Sequence, residues 1–267
     1  MHIDSIELTE KEFELFQKLV FNEIGVFLGN SKKFLVKNRL LKSVLKYNLT
    51  SYSDYYRLVQ INKAEKTNML NAITTNETYF FRETPHFDFL DKEIISKNKN
   101  KRLRIWSAAS SVGAEAYSIA MMLDHKNIPF EIIGSDINTE VIKKANKGLY
   151  PIKWMDKIPE ELKYKYCLKG KRDHEGWFLV DRSLIANIKF QQRNLIDSQR
   201  DLGLFDVIFL RNVLIYFNDE TKERIISNVV KNLKPDGYLI ISLTEYIRDL
   251  NKYGLEKVQT SVFKKVW

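Results

Sequence analysis

Apolar residues in the first 80 positions recur at helical spacing, with no stretch that alternates like a strand. Thr9-Glu10-Lys11-Glu12 has the spacing of a capping box and opens a run through Phe13, Phe16, Leu19, Val20 and Ile24 that keeps one helix face apolar. Gly25 supplies the stop. The pattern predicts a second helix over about Lys33–Lys46 and a third that begins at Ser51 or Ser53. From Arg102 the period changes. LRIWSAAS reads as a buried strand running into a glycine-containing turn and the helix AYSIAMMLDH. PFEIIGSD and TEVIKKANKG repeat that pair, IKFQQRNL and FDVIFLRN are further strands, and TKERIISNVVKNL is the next helix. Lys234-Pro235-Asp236-Gly237 predicts a tight turn into YLIISLTE, and SVFKKVW closes the sheet. Strands alternating with helices imply a doubly wound, mostly parallel, Rossmann-like α/β sheet, which places its ligand at the carboxyl ends of the strands. Between Tyr150 and Arg193 the strands YKYCL and WFLV around the turn GKRDHEG predict a small antiparallel insert. The expected organisation is a helical domain over 1–80, an α/β domain over 81–267, and a β insert at about 151–192.

Composition narrows the classes. At 267 residues, 44% hydrophobic and 29% charged, the chain has the content of a globular protein with a substantial core. No apolar run reaches the roughly 20 residues of a membrane span, and MHIDSIELTEKEF is too acidic and polar for a signal peptide. Cys167 is the single cysteine, which excludes an internal disulfide and a cysteine-rich metal cage and fits a cytoplasmic setting. His2, His86, His125 and His174 form no HxxxH or HxH pair, so no metal is expected. The net charge of +9 admits nucleic acid, an anionic membrane or an acidic protein as partner, or only a solvated surface.

The first strand ends in SAASSVGAEAYS, without the G-x-G-x-x-G fingerprint or the P-loop lysine, which disfavours a pyrophosphate ligand. Ala108, Ala109, Ser110, Ser111 and Gly113 still let a ligand come close to the backbone. Glu115 follows, placed to meet a cation or simply to offset the helix dipole. Asp136 ends the second strand, where a carboxylate accepts from a ribose diol or caps the helix at Asn138-Thr139-Glu140. Two carboxylates around a small-residue turn with no phosphate cradle fit a nucleoside bearing a cation, and S-adenosylmethionine (SAM) is one. Arg211 and Asn212 close the fourth strand, with Tyr216 just beyond. An arginine–asparagine pair there reaches the cleft or folds back to solvent, because burial without partners is costly.

TTNETYFFRE, WSAASSVGAEAYSIAM, GSDINTEVIKKANKGLY, FQQRNLID and FDVIFLRNVLIYF stand in this order along the chain. Together they resemble the CheR-type chemotaxis receptor methyltransferases, SAM-dependent enzymes that esterify glutamate side chains on chemoreceptors. The resemblance covers nearly the whole chain. It implies that Asn76, Thr78 and Arg82 contact the cofactor and line the methyl-transfer site. It implies that Glu115 meets the methionyl amino group beside Gly113, that Asp136 holds the ribose hydroxyls, and that Asn194, Leu195, Arg211 and Asn212 lie beside the adenosine. Tyr216 matches a tyrosine near the reactive methyl. Arg82 is then expected to orient the incoming carboxylate, Tyr216 to shape the surroundings of the methyl, and S-adenosylhomocysteine (SAH) to be the product. TTNETYFFRE would connect the two domains, its rings packed into their junction and Arg82 facing the cofactor. The competing reading makes Tyr79, Phe80 and Phe81 ordinary core and Arg82–Glu83 a surface pair; at least two of the rings are expected in the core. Relatives carry a form like AACSTGEEPYS, where this chain has Ser110, Val112, Ala114 and Ala116 in place of Cys, Thr, Glu and Pro. Gly113 and Glu115 remain, so cofactor binding is expected to survive.

Between Ser31 and Ser53 there are six basic residues and no acidic one. Lys32, Arg39, Lys42 and Lys46 fall within an arc of about 80° on a helix. Such a stripe is a solvated face or a surface that steers the Glu-rich methylation helices of a membrane-bound receptor. The insert resembles the small β-subdomain that takes a receptor's C-terminal tail as an added strand, although a strand edge can also be covered by its own loop. Two other classes compete. A nucleic-acid methyltransferase lacks support, because the stripe has no interleaved aromatics and the chain has no N/D-P-P-Y/F motif. A non-catalytic SAM- or SAH-binding adaptor of the same fold remains open.

Overall fold

The computed structural model describes residues 6–99 and 101–267; His2 lies outside them. Contacts divide the chain into two units: residues through Thr75 with Tyr216–Thr221, and Asn76–Ile215 with Lys222–Trp267.

Among the described residues the first unit holds four α-helices: α1 (Glu10–Ile24), α2 (Lys33–Lys46), α3 (Tyr52–Ile61) and α4 (Lys63–Ile73). Asn62 ends α3 and caps α4, accepting from the Glu65 N–H, so the third predicted helix is two. Phe13, Phe16 and Val20 of α1, Val36, Leu40 and Val44 of α2, and Tyr52, Tyr55 and Val59 of α3 are all buried, each contributing about 1.5–3 kcal/mol by leaving water, with the Phe16 ring against Tyr55. The capping box forms as its spacing predicts, and Gly25 closes α1 at φ 72°. Glu12 reaches further than the box requires. One carboxylate oxygen accepts from the Thr9 N–H at 2.9 Å, and the other accepts from the Ser53 N–H and hydroxyl, both at 2.8 Å. The start of α1 is thereby tied to the start of α3. Burial pushes the Glu12 carboxyl up, but the hydrogen bonds from Thr9 and Ser53 outweigh it and hold it below the ordinary value.

The second unit begins with α5 (Thr84–Phe89), continued by a π-helical turn over Leu90–Ile95. It proceeds through β1 (Leu103–Ala108), α6 (Ala114–His125), β2 (Phe130–Asp136), α7 (Thr139–Lys147), β3 (Leu149–Pro151), α8 (Glu160–Tyr166), β4 (Cys167–Lys169) and β5 (Trp177–Val180). After the single turn α9 (Arg182–Ile185) come β6 (Ile188–Gln192), β7 (Phe205–Leu210), α10 (Asp219–Val230), β8 (Leu233–Ile241), β9 (Leu255–Gln259) and β10 (Val262–Lys265). The main sheet is seven-stranded in the order β6-β2-β1-β7-β8-β10-β9. The first five of these strands are parallel, and β10 pairs antiparallel with both β8 and β9. The order reverses between β1 and β7, which makes the carboxyl ends there the switch point where such sheets bind ligands. Helix α6 is buried almost all round, from Ala114 to Leu123, as a helix under a sheet must be.

The insert is a three-stranded antiparallel sheet in the order β3-β5-β4. Its first expected strand, YKYCL, is split: Tyr164–Tyr166 end α8 and only Cys167 onward is strand. Pro159 presets the entry of that helix, and Glu160 and Glu161 in its first turn favour helix over extension. The expected turn at Lys234–Gly237 is a bulge inside β8, where Phe205 faces Leu233 and Val207 faces Tyr238. The short β3 and β9 carry no apolar alternation and so give no strand signal in the sequence.

Replacing Glu12 by alanine strands the Ser53 N–H and opens the α1 cap, so the helical unit should lose about 2 kcal/mol at neutral pH. Because the Glu12 carboxyl is held down on folding, its contribution is full above the ordinary carboxylate range and disappears as pH falls through the folded value. Urea unfolding followed by circular dichroism at neutral pH and in mild acid measures both.

Candidate active site

The carboxyl ends of β1, β2 and β7 gather the residues the sequence singled out. After β1 the chain turns through Ala109 at φ 65°, Ser111 at φ 50° and Gly113 at φ 87°, an alternation that small side chains tolerate at about 1 kcal/mol or more for each non-glycine. Gly113 is required twice over, since a Cβ there would lie 2.8 Å from the Phe190 ring. The Ser111 N–H donates to Asp136 Oδ2 and the Asn138 N–H to Oδ1, both at 2.9 Å. Asp136 therefore pins the turns after β1 and β2 as well as being a ligand candidate, whereas the cap of α7 is Asn138, whose side chain accepts from the Glu140 and Val141 N–H groups. Burial pushes the Asp136 carboxyl up against the pull of the Asn138 and Ser111 N–H groups. The Ile137 N–H adds to that pull, and a carboxylate with about four lone pairs still has capacity for a ribose hydroxyl. The Arg193 N–H donates to the Asp136 carbonyl at 2.9 Å, which brings Asn194 and Leu195 in behind it. The loop carbonyls at 195, 196 and 197 accept from the Asn228 amide.

Residues 76–83 run along the same edge. The Ser111 hydroxyl donates to the Asn76 carbonyl at 2.8 Å, and Thr78 is half-buried nearby in the segment. Phe80 packs on Tyr150, Trp154 and Phe178 of the insert, and Phe81 packs on Phe87. Phe80 and Phe81 are thus ordinary core of the α/β unit, in line with the expectation that at least two of the rings are core; Tyr79 is exposed. Arg82 is half-buried, donating to the Glu77 carbonyl at 2.9 Å with its guanidinium 5.7 Å from the Tyr79 ring.

Polar contacts converge on Arg211, whose side chain is only 2% exposed. Its Nη1 donates to Glu115 Oε2 at 2.8 Å, and Ser107 donates to Glu115 Oε1 at 2.7 Å. Its Nη2 donates to the Arg82 carbonyl and lies 3.3 Å from Glu83 Oε2. Arg211 therefore turns to the carboxylate expected to meet the methionyl amino group. Glu83, half of a surface pair in the competing sequence reading, instead lies partly buried beneath it, its side chain 15% exposed. Its carboxylate accepts from the Asn212 amide at 3.0 Å, the Ser242 hydroxyl at 2.8 Å and the Leu243 N–H at 3.0 Å. Burial pushes the Glu83 carboxyl up, yet Asn212, Leu243, Ser242 and the Arg211 charge together bring it down to about 2. His86, fully buried, places Nδ1 3.4 Å from Glu83 and Nε2 3.3 Å from the Ser261 hydroxyl. Burial, then the Arg211 charge, pushes it down to about 4 against the pull of Glu83, so it is neutral at pH 7. Glu245 accepts the N–H groups of Asn212, Leu214 and Ser242 and fixes the strand ends to each other.

Glu83, His86, Ser242 and Glu245 were not legible as site residues; the only signal was a glutamate directly after Arg82. The buried Arg211 Nε and Ser110 hydroxyl have no hydrogen-bond partner. Unspent donors beside Glu115 and Asp136, around a loop that admits close approach, suit a zwitterionic nucleoside such as SAM. Among the described residues no group of three or more His, Cys, Asp or Glu is placed to hold a metal.

The remaining candidates lie in the helical unit. The Tyr216 carbonyl accepts from the Phe27 N–H at 2.9 Å. Lys32, Lys42 and Lys46 are exposed on α2 or at its start, whereas Arg39 is half-buried. Arg39 donates to the carbonyls of Ile73 and Thr74 and to the Thr75 hydroxyl, closing the end of α4.

The family model described as "CheR methyltransferase, SAM binding domain" matches residues 76–263, and that described as "CheR methyltransferase, all-alpha domain" matches residues 11–74. A chemotaxis protein methyltransferase of Borreliella burgdorferi is 34% identical over 98% of this chain and 96% of its own length. One from Escherichia coli is 34% identical over 96% and 92%, and chemotaxis protein methyltransferase 2 of Pseudomonas aeruginosa is 34% identical over 89% and 87%.

A histidine whose folded value lies below its unfolded one favours the unfolded chain as pH falls through the gap. Stability should drop by roughly 3 kcal/mol between pH 6.5 and about 4 through His86. His86→Asn should flatten that part of a thermal-unfolding profile, leaving the fall at lower pH that protonation of Glu83 produces.

Proposed function

The chain belongs to the CheR methyltransferase family, and from that premise we propose that it methylates glutamate side chains on the cytoplasmic helices of chemoreceptors, forming methyl esters in sensory adaptation. The observation that carries the reading is the Glu115–Arg211 pair set beside Asp136 at the strand ends, a site for a zwitterionic nucleoside. Asp136 would hold the ribose, Glu115 the methionyl ammonium, and Asn76, Thr78, Gly113, Asn194, Leu195 and Asn212 the walls. When bound, SAM supplies a methyl group on a positively charged sulfur that leaves as a neutral thioether in SAH.

The acceptor needs no base. A glutamate carboxyl of ordinary pKa, about 4.3, is ionised at neutral pH and can attack in line. The protein's part is positioning. Arg82 carries out most of it: one of its donors holds the Glu77 carbonyl and the rest of a half-buried guanidinium can align a carboxylate. A guanidinium already engaged with its own segment steers the oxygen without fully quenching it as a nucleophile. Tyr216 shapes the surroundings of the methyl. Lys32, Lys42 and Lys46 supply long-range attraction for a Glu-rich helix, while Arg39 braces the segment that leads into 76–83. In the insert, β3 and β4 are edge strands, and β4 with the basic turn after it suits addition of an acidic receptor tail. No helix among the described residues is long and apolar enough to cross a membrane, and we place the enzyme on the cytoplasmic side, at receptor arrays.

Labelled methyl should pass from SAM to receptor cytoplasmic fragments and be released by mild base, as carboxyl esters require. Binding of SAH without transfer to any receptor fragment would identify an adaptor instead. Arg82→Ala should reduce turnover on the order of a hundredfold. Lys42→Glu with Lys46→Glu should raise the KM for receptor at low salt and lose that effect as salt screens it.

A further inference from the structure

We propose that Glu83 is the positioning residue of this site, holding the far side of Arg211 so that the Glu115 carboxylate keeps negative charge for the cationic end of the cofactor. The proposal rests on the reading that Glu115 receives the methionyl ammonium. Arg211 lies between two carboxylates, 2.8 Å from Glu115 and 3.3 Å from Glu83. One guanidinium between two carboxylates leaves one negative charge in a place that is nearly closed to water. His86, which touches Glu83, does not cancel it, because burial keeps the ring neutral. Without Glu83 the guanidinium would neutralise Glu115 alone, and an incoming ammonium would meet a neutral pair.

Glu83 is also fixed more firmly than a counter-ion needs to be. Its backbone is left-handed at φ 59°, and its oxygens are held by Asn212, Ser242 and Leu243 from the ends of two strands. The Arg82 carbonyl that precedes it accepts from the same guanidinium. Charge and pose are therefore set by one side chain that has no need to touch the cofactor.

Two ligands separate this role from general support: SAH, which carries the amino acid end, and methylthioadenosine, which lacks it. Titration calorimetry on the full chain should show Glu83→Gln weakening SAH by about tenfold or more, the scale of a lost charge-assisted interaction, with methylthioadenosine unchanged. Equal loss for both ligands, or none for SAH, overturns the proposal. If Glu83→Gln does not fold, Ser242→Ala removes one of the bonds that aim the carboxylate. It should weaken SAH about threefold relative to methylthioadenosine, and an unchanged ratio overturns the proposal equally. Glu115→Gln tests the premise: a variant that binds SAH as the native chain does removes the reading of Glu115. Loss there with no loss in Glu83→Gln removes the role of Glu83 alone.

Discussion

The buried Arg211 guanidinium, set between Glu115 and Glu83, is the contact on which the site is built. Taking such a charge out of water costs several kcal/mol, and replacing the ion pair by apolar side chains often leaves a fold no less stable. Its value here is geometric. One side chain at the end of β7 joins the first turn of α6, the segment 76–83 and, through Glu83, the end of β8. Four pieces of chain far apart in sequence are held to fixed positions by donors and acceptors that leave few alternatives.

Backbone strain collects around the same point. Phe81, Glu83, Ala109, Ser111 and Asn212 all have positive φ without being glycine. Isolated left-handed residues cost about 1 kcal/mol or more each and persist where surrounding contacts over-determine them. Those contacts are present: Glu245 takes the N–H of Asn212, Asp136 takes that of Ser111, and Ser118 takes that of Phe81. The aromatic layer beneath, from Phe80 to Tyr150, Trp154 and Phe178, binds the insert to this scaffold so that its small sheet is not a free appendage. Positioning chemistry, in which an ionised glutamate needs alignment and no base, is the kind of catalysis such a pre-set frame supports.

Much of this was fixed locally and could be read from the chain. Period, caps and turn residues determined α1 with its capping box, the alternation of strands and helices, and the placing of Glu115, Asp136, Arg211 and Asn212 at strand ends, because those signals act within a few residues. What the sequence by itself left open were the long-range partners. Arg39 looked like one of four equal cations on a helix face until the end of α4 was found to occupy it. In one sequence reading Glu83 is a surface residue beside Arg82, and only the arrival of Asn212, Ser242 and Leu243 at the same point makes it a half-buried, tightly held carboxylate. Hydrophobic period records which face of an element turns inward. It does not record which polar groups meet there, since that depends on strand order and register, and these are settled only when the whole sheet is assembled.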